Sequence, residues 1–369
     1  MAVYKIFPEK DATIYSAYPY TNTGRDEILE LSTIPDILQG SGGPQTSRIL
    51  IKFPTSEILD VIQNKVLTSP FSATLKLFLA NASNIPLDYS IKCYPLSQSW
   101  NMGTGKYGDS PITSDGVSWK YLDYSGSNQW TLSSNNATSS YITGNEGGGI
   151  WITGSGNFDF EETQTFNYIT SKDIEISVYN FIDALSSSSI ENNGLIIKRE
   201  DSLEFNSSSY FELKYFSMDT HTIYPPHLEI SWDDFLFNTG SISGSFINSE
   251  EITVTLSNNK NEFNQNSIQK FRVNVRDKYP ARVFTTSSIY LNNKYLPLDS
   301  YYQVRDLDTN EIIIDFNDYT KISADSTSNY FILYMNGLEP QRYYKILIKT
   351  TINENTLIID NNYYFKITY

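Results

Sequence analysis

The stretch Ser47-Arg48-Ile49-Leu50-Ile51-Lys52-Phe53 decides the fold. Ile49, Ile51 and Phe53 alternate with Arg48, Leu50 and Lys52, and Pro54 ends the run. Period-two alternation carried by β-branched and aromatic residues marks a strand with one face on a core. A Gly/Ser/Pro loop over 39–46 precedes it, and a short helical pattern over 56–66 follows. The run therefore reads as the central strand of a β-sandwich.

The same alternation returns on both sides. Residues 11–15 and 27–31 read as short strands, joined through Tyr20-Thr21-Asn22-Thr23-Gly24, where Asn and Gly tolerate positive φ. Further strands are expected at 73–79, 90–96, 172–177, 194–198, 211–215 and 225–232, with a brief helix over 178–185. Cys93 falls on an inward position and reads as a small buried hydrophobe. Between 100 and 171 the pattern changes to Gly, Ser, Asn and Thr, with aromatics at Tyr107, Trp119, Tyr121, Tyr124, Trp130, Tyr141 and Trp151. So long a connection is expected to be functional, structured on itself, or both. Residues 233–249 read as a linker. In 250–369 short alternating strands with frequent turn signals, such as Asn336-Gly337, suggest a second, immunoglobulin-like sandwich. The expected fold class is thus all-β: a jelly-roll-like sandwich over 1–232, then an immunoglobulin-like one.

Composition supports this. The 369 residues suffice for two domains, and 28 Tyr and 20 Phe suit half-buried pleated surfaces. The formal net charge of −15 disfavours nucleic acid and anionic membranes as partners. One cysteine precludes an intrachain disulfide. The N-terminal residues lack an apolar run behind basic residues, so no signal peptide is expected, and no stretch is long and apolar enough to span a bilayer.

Several motifs resemble the DNRLRE domain, a β-sandwich family counted among carbohydrate-binding modules. They are Asp11-Ala12-Thr13-Ile14, Asn22-Thr23-Gly24, the 47–53 strand (S-R-x-L-L-R-F in the family), Ala73-Thr74-Leu75-Lys76-Leu77, and Ser99-Trp100 with Gly116-Val117-Ser118-Trp119. Asp173-Ile174-Glu175, Gly194-Leu195-Ile196-Ile197-Lys198 and Pro226-His227-Leu228-Glu229-Ile230 complete the set. Two features depart from the family. The span between Trp119 and Asp173 is longer, and Phe205 to Ser209 keeps only part of the family's serine-containing pattern. The resemblance implies a jelly-roll-like fold and binding to polysaccharide or a cell wall. Residues 271–282, beginning Phe271-Arg272-Val273-Asn274-Val275, resemble a segment of structural proteins of large tailed marine bacteriophages.

A sugar site needs exposed aromatic faces and nearby amides and carboxylates. Tyr121, Tyr124, Trp130, Tyr141 and Trp151, in a Gly/Asn-rich region, are the candidate ligand-binding residues; the competing reading is that they pin the long loop to the sandwich. Trp100 and Trp119 are expected in the core. His221 and His227, six residues apart on an extended Pro-Pro segment, match no zinc spacing. The adjacent acids Asp233-Asp234, Glu161-Glu162 and Glu250-Glu251 would point to opposite faces of a strand and are poor candidates to flank one glycosidic bond. No nucleophile elbow or phosphate loop is present. No cofactor or metal is expected; calcium held by loop Asp and Asn oxygens is the alternative, without EF-hand spacing.

The function expected is a non-enzymatic bacteriophage virion protein, in the tail, neck or a fibre, or a decoration, acting in host-surface or glycan adhesion. Its partners would be other virion proteins and host polysaccharide, with any oligomer imposed by particle symmetry. The alternatives are a carbohydrate-binding module with a defined sugar site and a polysaccharide-degrading tailspike.

Overall fold

The computed structural model describes residues 2–35, 44–131, 137–138, 147–237, 244–280 and 294–369. The alternation in 250–369 also suggests a strand at 288–291; it and the candidate Tyr141 lie outside these residues, as does part of the 233–249 linker. The fold is all-β, built of several sheets, some strongly curled. The chain divides into two compact units. One holds Ile6–Lys65 and Ser72–Glu229; the other holds Ile230–Tyr369 together with Met1–Lys5 and Val66–Phe71.

In the larger unit, Gln45–Lys52 is the central strand of the principal sheet. It pairs antiparallel with Lys10–Tyr15 (Ala12 opposite Leu50) and with Leu195–Arg199 (Ile196 opposite Leu50). Leu195–Arg199 in turn pairs with Tyr89–Pro95, and that strand with Glu162–Phe166. Ile28–Ile34 and Phe211–Phe216 extend the sheet the other way, with Glu30 opposite Lys214 and Ser32 opposite Glu212. A second layer contains Phe71–Leu77 paired with Ile174–Ser177, where Leu75, Leu77, Ile174 and Ile176 are buried. The helical pattern at 56–66 forms an α-helix at Thr55–Asp60 that runs into a π-helical turn at Val61–Val66. The helix expected near 178–185 is Tyr179–Ser186.

The central strand departs from expectation in one respect. Every residue from Gln45 to Ile51 is buried, on both faces. One face carries Ile49 and Ile51. On the other, Leu50 joins Ala12, Ile14, Tyr94, Leu96 and Ile196 in a cluster completed by Trp100, Met102, Val117, Trp119, Trp130, Ile150 and Trp151. Residues from the described parts of the long segment, between Trp100 and Trp130 and at Ile150 and Trp151, fold back over the sheet and make this second core. Arg48 is sealed inside it with no exposed surface. Its Nε and Nη2 donate to the two carboxylate oxygens of Glu204 at 2.6 and 3.0 Å, and Nη1 donates to the Gly148 carbonyl. The guanidinium lies 4.8 Å from the Trp119 ring and 5.2 Å from that of Trp151. Lys198, also fully buried, reaches the same Glu204 at 2.9 Å. A buried charge persists only when paired and hydrogen-bonded, and this network meets that condition.

In the second unit, one sheet carries Ile252–Ser257, Ile268–Asp277 and Asn329–Tyr334; another carries Ser300–Asp306, Tyr343–Ile352 and Asn355–Thr368. Both sheets feed one core, in which Phe271 stacks on Phe331 at 5.2 Å and Phe331 on Tyr302 at 4.3 Å. The expected alternation of Phe271, Val273 and Val275 is present as buried positions along Ile268–Asp277. The last two strands form a long hairpin closed by Asn353 and Glu354, both at positive φ (50° and 67°). Such a pair of φ values is that of the turn that matches strand twist.

Candidate functional site: an aromatic and carboxylate groove

Two adjoining cavities of about 190 and 310 Å³ share Tyr15, Glu30 and Tyr107 as walls. Ligand sites are concave surfaces with a few convergent polar groups, and this groove has that character. Its floor comes from two paired strands. Along Ile28–Ile34, Leu29, Leu31 and Thr33 are buried, while Glu30 alternates with them toward the groove. Along Phe211–Phe216, Phe211, Leu213 and Tyr215 are buried, and Glu212 and Lys214 alternate with them. Lys214 bridges Glu30 at 3.0 Å and Glu212 at 2.9 Å.

Tyr107 forms the wall. It is 49% exposed, with its ring 4.9 Å from Tyr15 and 5.5 Å from Tyr18. Its backbone N–H donates to both carboxylate oxygens of Asp26, at 3.1 and 3.2 Å. Desolvation raises the Asp26 carboxyl to about 6; the bond from Tyr107 opposes this and the nearby Glu30 charge adds to it. Lys106 lies 3.7 Å from Glu27 at the other end of the groove.

Tyr107 is held over the floor by a clamp on its loop. The buried Asn22 donates from Nδ2 to the carbonyls of Met102 (2.7 Å) and Val117 (2.8 Å), and its Oδ1 accepts from the Gly105 N–H at 2.8 Å and the Gly24 N–H at 3.3 Å. Every hydrogen-bonding valence of the amide is thereby used. The chains approach so closely that a Cβ on Gly24 would lie 2.1 Å from the Met102 carbonyl oxygen, and one on Gly116 would lie 2.5 Å from Gly103. Thr23 pins the same turn to the sheet, donating to the Thr13 carbonyl at 2.6 Å and accepting from its N–H at 3.0 Å. Asn22-Thr23-Gly24 is therefore the support that places Tyr107.

The residues expected to bind ligand sit elsewhere. Trp130 and Trp151 are 6% and 2% exposed, packed in the second core, with the Trp130 indole N–H donating to the Ser118 carbonyl at 3.1 Å. Their faces are covered, so they are not the stacking platforms expected from the sequence: they pin the long segment to the sheet. Trp100 and Trp119 are in the core, as expected. Tyr121 and Tyr124 are half-buried, 4.6 Å apart edge to face, each 6.2 Å from the exposed Tyr20. Tyr141 lies outside the described residues. Cys93 is buried, which pushes its thiol well above the usual range. His227 is buried with its ring 5.6 Å from Phe78 and 6.3 Å from Phe7. Among the described residues no group of three or more His, Cys, Asp or Glu side chains is arranged to hold a metal. No helix of the described residues is long and apolar enough to cross a membrane.

Sequence reasoning noted Tyr107 only as one aromatic among seven in the long segment. The available signal was Asn22-Thr23-Gly24 together with Gly103, Gly105 and Gly116, a density of glycine that close backbone approach demands.

No family model and no curated protein matches this chain. Among solved structures, a DUF4785 family protein from Legionella pneumophila aligns over 98% of this chain and 65% of its own, at 8% identity and a TM-score of 0.18. The tripod from the baseplate of bacteriophage Tuc2009 aligns over 98% of this chain and 91% of its own, at 7% identity and a TM-score of 0.16. The chain thus spans 65% of the length of the first. Likenesses this low define neither the fold nor the activity of this chain.

Proposed function

We propose that the protein is a non-enzymatic adhesin that holds polysaccharide in the Tyr107 groove. The observation that carries this reading is a half-exposed tyrosine ring, stiffened by two further tyrosines, beside carboxylates and lysines on a rigid two-strand floor. A pyranose offers an apolar face to such a ring and hydroxyls to such charges. The DNRLRE-like motifs of the same unit support a carbohydrate-binding role, and the phage-like segment at 271–282 supports a place in a virion, in tail, neck, fibre or decoration. Weak contacts would then sum over many copies. The test is a glycan array followed by titration calorimetry with wild type and Tyr107→Ala. Loss of binding in the variant, with unchanged thermal unfolding, supports the reading. Mass spectrometry of purified virions tests the location.

A second reading, polysaccharide cleavage, has one observation in its favour. Asp26, its carboxyl raised to about 6, lines the same groove as Glu30. Glycoside hydrolysis uses a carboxyl group of raised pKa as the acid and a second carboxyl group across the scissile bond. Release of reducing ends, lost in Asp26→Asn with binding retained, would establish it.

A further inference from the structure

The groove is not electrically balanced. Among the described residues, Asp26, Glu27, Glu30 and Glu212 line it against two lysines, Lys106 and Lys214. Both lysines are already engaged, Lys214 by Glu30 and Glu212, and Lys106 by Glu27. Two negative charges are in surplus. Asp26, half-buried, accepts the Tyr107 backbone N–H in a place where a charge is poorly screened, while Glu30 and Glu212 share a single ammonium. A ligand carboxylate or phosphate entering here meets like charge in a partly desolvated space. A ligand ammonium meets the surplus.

We propose that the groove selects glycans carrying a free amino group, such as glucosamine chains, over N-acetylated and uronic-acid chains. The inference rests on the reading of the groove as a glycan site. The tyrosine face takes the ring, and the surplus charge, at Asp26 and on the Glu30 and Glu212 carboxylates that share Lys214, takes the ammonium, so the contact reads both shape and charge. Lys106 and Lys214 remain bound to their own carboxylates and offer no competing attraction to an acidic sugar.

The experiment is calorimetric titration of the full chain near neutral pH with short oligomers of glucosamine, N-acetylglucosamine and galacturonate. The amino oligomer is expected to bind at least about tenfold more tightly than the N-acetylated one, with the advantage shrinking as salt is raised. Glu212→Gln and Asp26→Asn, each removing one negative charge of the surplus, should each reduce that advantage. Tyr107→Ala should weaken binding of both the amino and the N-acetylated oligomer. Equal affinity for the amino and N-acetylated oligomers, or tighter binding of galacturonate, with Tyr107 still required, overturns the selectivity and leaves the glycan site standing. Amino-oligomer binding that survives Tyr107→Ala assigns the attraction to the acidic surface at large and also overturns it. If none of the three oligomers binds and the array is blank, both readings fall.

Discussion

Around Arg48, tryptophans close over a guanidinium; around Tyr107, three tyrosines stand beside carboxylates that keep contact with solvent. Both places are made of aromatic rings and charge, within one unit. In the first, the charge is matched internally by Glu204, the rings are covered, and no surface remains. In the second, the charges are unevenly matched and the ring of Tyr107 is half open. The difference teaches that aromatic richness is not evidence of a site. What separates a brace from a binding surface is whether charge and ring faces are already satisfied.

The comparison breaks first at its buried side. Glu204→Gln leaves Arg48 and Lys198 inside the unit without a full counter-charge, and loss of one partner of a buried pair costs about 3–5 kcal/mol. Urea denaturation should show this as a large fall in midpoint at unchanged slope. A change below about 1 kcal/mol would mean that water reaches the network. Trp151→Ala should cost a similar amount, roughly 3–5 kcal/mol, by opening a cavity in the second core. Tyr107→Ala, at a half-exposed position, should alter stability by less than about 1 kcal/mol.

A fourth prediction concerns pH. Asp11 is buried, accepts the Met218 N–H at 2.6 Å and has Asp219 nearby; burial raises its carboxyl to about 7. The folded state therefore holds this proton more tightly than the unfolded state. Its contribution to stability is full below the unfolded value near 3.8 and is lost as pH rises through about 7. Asp11→Asn keeps an acceptor for Met218 and should flatten the decline between pH 4 and 7, by an amount on the order of a few kcal/mol, in denaturation curves taken across that range. Parallel curves for the two proteins would contradict it. The smallest effect is at the C-terminal hairpin. Glu354 occupies positive φ, where a side chain costs roughly 1–2 kcal/mol, so Glu354→Gly, less the larger chain entropy of glycine in the unfolded state, should stabilise by at most about 1 kcal/mol, read as a rise in thermal midpoint.

How far the sequence was legible follows from the same contrast. Alternation is a local property, so the strands around Ile49, Ile197 and Phe271 could be read directly. The second burial of the central strand could not, because it depends on distant residues such as Trp119, Trp130 and Trp151 returning to cover Arg48 and Leu50. Exposure is likewise a tertiary property: Trp130 and Trp151 read as well as a platform as they do as a brace. Tyr107 was overlooked because its role comes from the Asn22 clamp more than 80 residues away in the chain. The hairpin at 353–354 escaped notice because glutamate is a poor signal for a turn that requires positive φ.

The most direct test is a paired titration of wild type and Tyr107→Ala against the best ligand of a glycan array, with thermal unfolding recorded for both. The account predicts that the variant loses at least about tenfold in affinity, roughly 1.4 kcal/mol, while its unfolding midpoint stays in place. Undiminished binding by a folded Tyr107→Ala protein would contradict it and return the search to Tyr20, Tyr121 and Tyr124.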